Sequence, residues 1–298
     1  MRTLLLTSTW LAVLLGAAGT ADAAGDRIDK DVPADARGIV EISTFSGRLD
    51  VSGWDQSQVS VHGDAPGGAD KIDVASDHGR TTITVRAPHS SFFGGDLDLK
   101  VKVPRGSEVD VTAVSADVSS TGVTGAQRLK SVSGDIVADI AQADVEVKTV
   151  SGDVTLHGQG KPAELHLSTI SGNVWLDHVA GDVEVGTTSG DINMQLDPGR
   201  SVRMRTISGD VVLKGSLAKD ADLDSQTVSG DVKLHAKSTD GYEYEVTTFH
   251  GDIDNCFNAE AEPTSRHGPG MRLSGSRGNG SAHVRIKTMS GDVDLCDR

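Results

Sequence analysis

The residues best suited to chemistry form a single column. The triplet Ser-Gly-Asp occurs six times, beginning at Ser133, Ser151, Ser189, Ser208, Ser229 and Ser290, with variants at Ser115-Ala116-Asp117, Ser171-Gly172-Asn173, His250-Gly251-Asp252 and, far upstream, Ser46-Gly47-Arg48. The third position supplies Asp117, Asp135, Asp153, Asp191, Asp210, Asp231, Asp252 and Asp292, interrupted by Asn173. Carboxylates repeated at one strand position repel, so something must offset them. One answer is a row of hard cations, which suit carboxylate and carbonyl oxygens. The favoured answer is local: Asp and Ser side chains accept hydrogen bonds from backbone N–H groups at a bend. The calcium-binding pattern G-G-x-G-x-D-x is absent, so no metal is expected.

Other chemistry is sparse. Ten histidines are scattered without H-E-x-x-H or zinc-type cysteine spacing. There is no G-x-S-x-G, P-loop or dinucleotide fingerprint, so no catalytic residue and no cofactor is expected. Trp175 lies in an outward column with Thr155, Asn193, Val212, Lys233, Asp254 and Asp294. Exposed, it would stack on a sugar or anchor a partner; the plainer reading has the N-terminal segment or a loop covering it. Phe92 and Phe93 in "PHSSFFGGD" are the other candidate ligand contacts.

The elements that position these residues follow from the period. From Ser115 the triplets recur every 18–21 residues, except for a final interval of 40. Such a period signifies a repeat architecture. Before the triplet stand Val114, Val132, Val150, Ile170, Thr188, Ile207, Val228, Phe249 and Met289; after it stand Val118, Ile136, Val154, Val174, Ile192, Val211, Val232, Ile253 and Val293. Upstream runs such as "DVEVKTV" and "SVRMRTI" alternate as half-buried strands do. Val145 and Val147 are odd-numbered, whereas Val150, Val154 and Leu156 are even. If all face inward, parity must slip near Thr149, and Gly152 would face inward at a corner or close approach.

These features predict an all-β fold: a single-chain β-solenoid of about nine rungs of 18–21 residues. Its span is 113–298, continuous with an irregular β cap over 24–112. An antiparallel sandwich is the alternative.

Cys256 and Cys296, the only cysteines, each lie six residues after the start of a triplet. Stacking brings them side by side at strand spacing, within disulfide reach, so a bond is expected. His157 and His235 share that column and are expected to be solvated.

The opening "MRTLLLTSTWLAVLLGAAGTADA" has Arg2, an apolar run and a small-x-small ending. It reads as a secretory signal peptide, 1–23, cleaved after Ala23. No cysteine follows for lipid attachment, and no later run is long enough to span a membrane. The expected compartment is periplasmic or secreted, and the expected state is a monomer. The formal charge is −15, which argues against nucleic acid and against anionic lipid as electrostatic partners. Aromatics make up 3% of residues, which suits a thin core of Val, Ile and Leu.

The segments "VEISTFSGRLDVSGWDQSQVSVHG" and "LKVKVPRGSEVDVTAVSADVSSTGVTG", with the serial "TVSGDV" units, resemble the bacterial β-strand-repeat putative adhesin family, an exported domain of unknown function. The resemblance covers about residues 38–298. It implies a repetitive β-helical fold outside the cytoplasm and carries over no catalytic residue. The expected function is a non-enzymatic binding or structural module of the cell envelope with an unknown glycan or protein partner. The alternatives are a β-helix enzyme acting on polysaccharide and an envelope-stress sensor or scaffold.

Overall fold

The computed structural model describes residues 27–64, 72–86, 97–266 and 268–297. The expected signal peptide and Phe92 and Phe93 lie outside them. Among the described residues every regular element is a strand, and twenty-two strands join in one hydrogen-bonded sheet.

The fold is easiest to follow from its middle. β10 (Val145–Ser151) and β11 (Val154–His157) flank one triplet. The preceding layer is β8 (Gln127–Ser133) with β9 (Ile136–Asp139). The following layer is β12 (Pro162–Ser168) with the start of β13 (Val174–Ser189). All pairing between these layers is parallel and in register, as in Val145↔Leu165, Val147↔Leu167, Val154↔Val174 and Leu156↔Leu176. Equivalent apolar residues therefore lie on one another about 4.8 Å apart.

Two further layers turn within long strands. β13 pairs with β14 (Ile192–Ser208), and β14 pairs with β15 (Val211–Ser229), with Val183↔Val202 and Val185↔Met204 as typical partners. Residues before and after each triplet feed one buried cluster.

At the N-terminal end β2 (Ile39–Trp54) is a layer of the same kind. It pairs in parallel with β7 (Glu108–Thr121), placing Ser46-Gly47-Arg48 against Ser115-Ala116-Asp117. β5 (Arg80–Val85) and β6 (Asp98–Pro104) pair in parallel with the other edge of β2. β1 (Arg27–Pro33), β3 (Gln58–Asp64) and β4 (Ile72–Asp77) then add antiparallel strands: β1 to β3, β3 to β6, and β4 to β5. They occupy edges a bare stack would expose.

At the other end sequence order and spatial order part. β15 and β16 (Val232–Ser238) pair not with the next repeat, β17 (Gly241–His250) and β18 (Ile253–Asn255), but with the last, β21 (Ala282–Ser290) and β22 (Val293–Cys296). β21 and β22 pair in turn with β17 and β18. The final repeat is thus inserted beneath the penultimate one. The intervening segment supplies β19 (Glu262–Pro263) and β20 (Met271–Gly278), the latter antiparallel on β17. Tyr242, Tyr244 and Phe257 gather here, with ring centroids 5.5–6.4 Å apart.

Candidate functional site

The corner at each triplet decides which residues reach solvent. In the layer of β10 and β11, Val145, Val147 and Thr149 are buried, Val150 and Ser151 are exposed, and burial resumes at Val154 and Leu156. The parity slip therefore falls across the triplet, after Thr149. This corrects the expectation that Val150 faces inward: it continues the outward parity of its strand. Gly152 does not face the core; its φ of +130° makes the corner, and a Cβ there would meet the carbonyl oxygen of Gly134 at 2.2 Å. The close approach is between successive layers, and at this positive φ only glycine permits it; Ala116, which holds the same triplet position, does not have a positive φ.

The third triplet position forms a ladder of side chain to backbone hydrogen bonds. Each Asp Oδ1 accepts from the backbone N–H of its counterpart one layer on. Asp117 accepts from Asp135 at 3.0 Å, Asp135 from Asp153 at 2.9 Å, and Asp153 from Asn173 at 2.8 Å. Asn173 accepts from Asp191 at 3.0 Å, Asp191 from Asp210 at 2.9 Å, and Asp210 from Asp231 at 2.8 Å. Asp231 then serves Asp292 at 2.9 Å, and Asp292 serves Asp252 at 2.8 Å, following the spatial order. Asn173 fits because its amide oxygen accepts equally well. Two residues before the triplet, Thr149 and Ser131 turn their hydroxyls to the carbonyls of Ser151 and Ser133, at 3.3 and 3.1 Å. The Thr169, Thr187, Thr206 and Thr227 hydroxyls at the same level have no partner.

Moving Val150 outward moves its whole column. In spatial order Phe45, Val114, Val132, Val150, Ile170, Thr188, Ile207, Val228, Met289 and Phe249 project from the corner, and all but Thr188 are exposed large apolar side chains. Ile170, Ile207 and Met289 are 53%, 54% and 59% exposed. Ten layers at strand spacing make a stripe about 43 Å long. Isolated exposed apolar residues need no explanation; an aligned row of this length does. Sequence reasoning had the column but assigned it the wrong side.

Beside the stripe, two residues earlier in each layer, runs a row of Lys130, Lys148, Ser168, Gly186, Arg205, Gln226, Lys287 and Thr247. It contains no carboxylate. The next row out alternates sign, with Arg128, Glu146, His166, Glu184, Arg203, Asp224, Arg285 and Glu245 in successive layers. Lys148 pairs with Glu146, and its hydrogen bond holds the Glu146 carboxyl below the usual range. The Glu108 hydrogen bond raises the Arg128 guanidinium.

The remaining expected residues lie apart from this face. Trp175 sits on the second wall between Thr155 and Asn193 and is 39% exposed. Cys256 and Cys296 form a disulfide with Cα atoms 5.1 Å apart. His235 lies within 3.1 Å of Asp294, close to Cys296. The Cys296 sulfur is held in that disulfide and offers no thiolate to a metal. His157 is exposed, 3.8 Å from Asp177.

Fold and corner together define a repeat protein of stacked parallel strands, all β, with a turn triplet at each layer. Residues 48–296 match the model of the Toastrack DUF4097 family, and the chain belongs to it. Solved structures resemble it at low identity. One from Bacteroides fragilis, described as a "putative adhesin", is 11% identical over 90% of this chain and 96% of its own, with a TM-score of 0.46. Another "putative adhesin", from Parabacteroides distasonis, is 8% identical over 91% and 98%, with a TM-score of 0.45. A "putative lipid binding protein" from the same species is 10% identical over 91% and 98%, with a TM-score of 0.40. No curated protein sequence matches.

Proposed function

We propose that the chain is an exported, non-enzymatic β-solenoid whose nine repeats over 113–298 wind into one rod with the β2 layer, displaying an adhesin-like binding face in the cell envelope. Its compartment is periplasmic or secreted, on the strength of the N-terminal leader. One observation carries the binding role: the exposed apolar stripe from Phe45 to Phe249. Rows of aliphatic side chains on a flat wall suit an apolar partner surface or chain, whereas sugars favour aromatic platforms. A glycan contact would therefore belong to Trp175, on the other wall. The ladder also speaks for a binding module over an enzyme, because one oxygen of its carboxylates, Oδ1, is engaged in holding corners together.

The test compares retention of the mature chain on washed envelope fractions. Val150→Asp with Ile207→Asp places two charges on the stripe without touching the core. Thr155→Asp with Asn193→Asp is the control on the second wall. The expected result is loss of retention only for the stripe variant. Equal retention of both variants and wild type would refute the reading.

A further inference from the structure

The strand position of Gly186 is unexplained by its backbone. Glycine in a strand interior costs about 0.5–1 kcal/mol relative to alanine, and such positions often mark close approach by a ligand or a second backbone. At Gly186 no second backbone approaches: an added Cβ would meet nothing within 4 Å, and φ lies outside the left-handed region. The absent side chain opens a cavity of about 190 Å³ lined by Lys148, His166, Ser168, Glu184, Arg203 and Arg205. Register places Lys148 two layers to one side and Arg205 one layer to the other, with only Ser168 between Lys148 and the glycine. Arg203 has no ion pair among the described residues. Arg205 is 3.8 Å from Glu184, too far for a strong bond.

A second cavity, of about 480 Å³, neighbours the first and shares Arg205 with it. Ile207, Val228 and Met289 of the stripe form its apolar side, and Lys287 stands along its course. In the Gly186 layer the stripe itself carries Thr188 in place of a large apolar residue, so no bulky side chain of the stripe stands beside the notch.

We propose that notch and groove are two halves of one site for a phosphate-bearing amphiphile. The anionic head lies among Lys148, Arg203 and Arg205, and the aliphatic tail follows Ile207, Val228 and Met289. This rests on reading the stripe as a binding face and names its ligand class. It also revises what the net charge implied: the formal charge of −15 belongs to the whole chain, while the charged residues of the row beside the stripe are all cations and Glu184 is the one carboxylate lining the notch. Guanidinium groups suit phosphate oxygens in planar, paired hydrogen bonds.

The test titrates the mature chain calorimetrically with dodecyl phosphate below micellar concentration, with dodecyl maltoside as tail without anion, and with inorganic phosphate as anion without tail. The expected order is dodecyl phosphate well ahead of both. Arg205→Ala should weaken it about tenfold, the effect of losing one charge-assisted hydrogen-bonding partner. Gly186→Leu should do the same by filling the notch; thermal unfolding unchanged from wild type shows that the fold is intact. Ile207→Ser should lower affinity for dodecyl phosphate and leave inorganic phosphate unaffected. Equal binding of dodecyl maltoside, or inorganic phosphate matching dodecyl phosphate, overturns the proposal. So does dodecyl phosphate binding indifferent to both Arg205→Ala and Gly186→Leu. If the proposal fails while Val150→Asp with Ile207→Asp still abolishes envelope retention, the stripe remains a binding face for another ligand.

Discussion

Substituting one rung of the Asp ladder separates its hydrogen bond from its charge. Asp210 is exposed, accepts from the Asp231 N–H at 2.8 Å, and gives its own N–H to Asp191 at 2.9 Å. A hydrogen bond to a charged acceptor contributes about 1.5–3 kcal/mol when shielded, and about 1 kcal/mol is reasonable at this exposed corner. Against it, carboxylates one layer to each side repel. At about 5 Å in water each costs about 0.8 kcal/mol, and less at physiological salt. Asp210→Asn keeps an acceptor, as Asn173 does naturally, and removes the repulsion, so it should be neutral or stabilising. Asp210→Ala removes both, so Asn should exceed Ala by about 1 kcal/mol, or about 2–4 °C in Tm for a chain of this size. Thermal unfolding at low and high salt checks this, and added salt should stabilise wild type more than Asp210→Asn. Equal stability of Asn and Ala would refute the acceptor role. A calcium-dependent rise in wild-type Tm that Asp210→Asn abolishes would refute the account in another way, by showing the charges held by a cation.

Gly209→Ala should cost about 3 kcal/mol or more, since its φ is +143° and a Cβ would lie 2.1 Å from the Gly190 carbonyl oxygen. Gly186→Ala, with open space, should be neutral or stabilising; similar Tm losses in the two variants would contradict the corner argument. Replacing Cys256 and Cys296 by serine opens a loop with a sequence separation of 40, a loss of about 4 kcal/mol in the chain-entropy model. Non-reducing peptide mapping should find the bond, and hydrogen exchange in the double variant should rise first in β17, β18, β21 and β22. His178 donates its Nδ1–H to an Asp197 carboxylate oxygen at 2.6 Å, and this bond raises its pKa above the ordinary histidine value. The pair therefore contributes stability that is complete below the unfolded pKa and is lost as pH rises through the folded one. An NMR titration should place His178 above the ordinary histidine value, and Asp197→Asn should bring it down.

Strands, period and the proximity of the two cysteines were legible because stacking forces equivalent residues into columns, and columns survive in the sequence as spacing. The side to which a column points did not survive in the same way. Val150 and Val154 are both aliphatic and both even-numbered, and only the left-handed glycine between them reveals that one faces solvent. Apolar character is a guide to burial only while the strand runs straight. The Gly186 notch was hidden for a related reason: a glycine among thirty-five acquires meaning only when the space around it is known.

The exchange of the last two repeats has a physical logic that local periodicity does not express. Any regular repeat fits against any other, so register alone permits either order. The interval of 40 residues marks only that something intervenes. What distinguishes the two repeats is fitness for an end. β21 and β22 present the full inward set of Val284, Ile286, Thr288, Val293 and Leu295, all buried with a layer on each side. The β17 repeat has a second strand of three residues, with Ile253 only partly buried and Asn255 replacing the usual aliphatic. Asn255 instead turns back on its own segment, accepting from the Phe257 and Ala259 N–H groups and donating to the Ala259 carbonyl. Tyr242 and Tyr244 carry enough apolar surface to pack under Phe257 and β20, which covers the edge that would otherwise stay open. Placing the regular repeat inside and the irregular one outside satisfies both, and the disulfide then ties the covering layer to the one it protects.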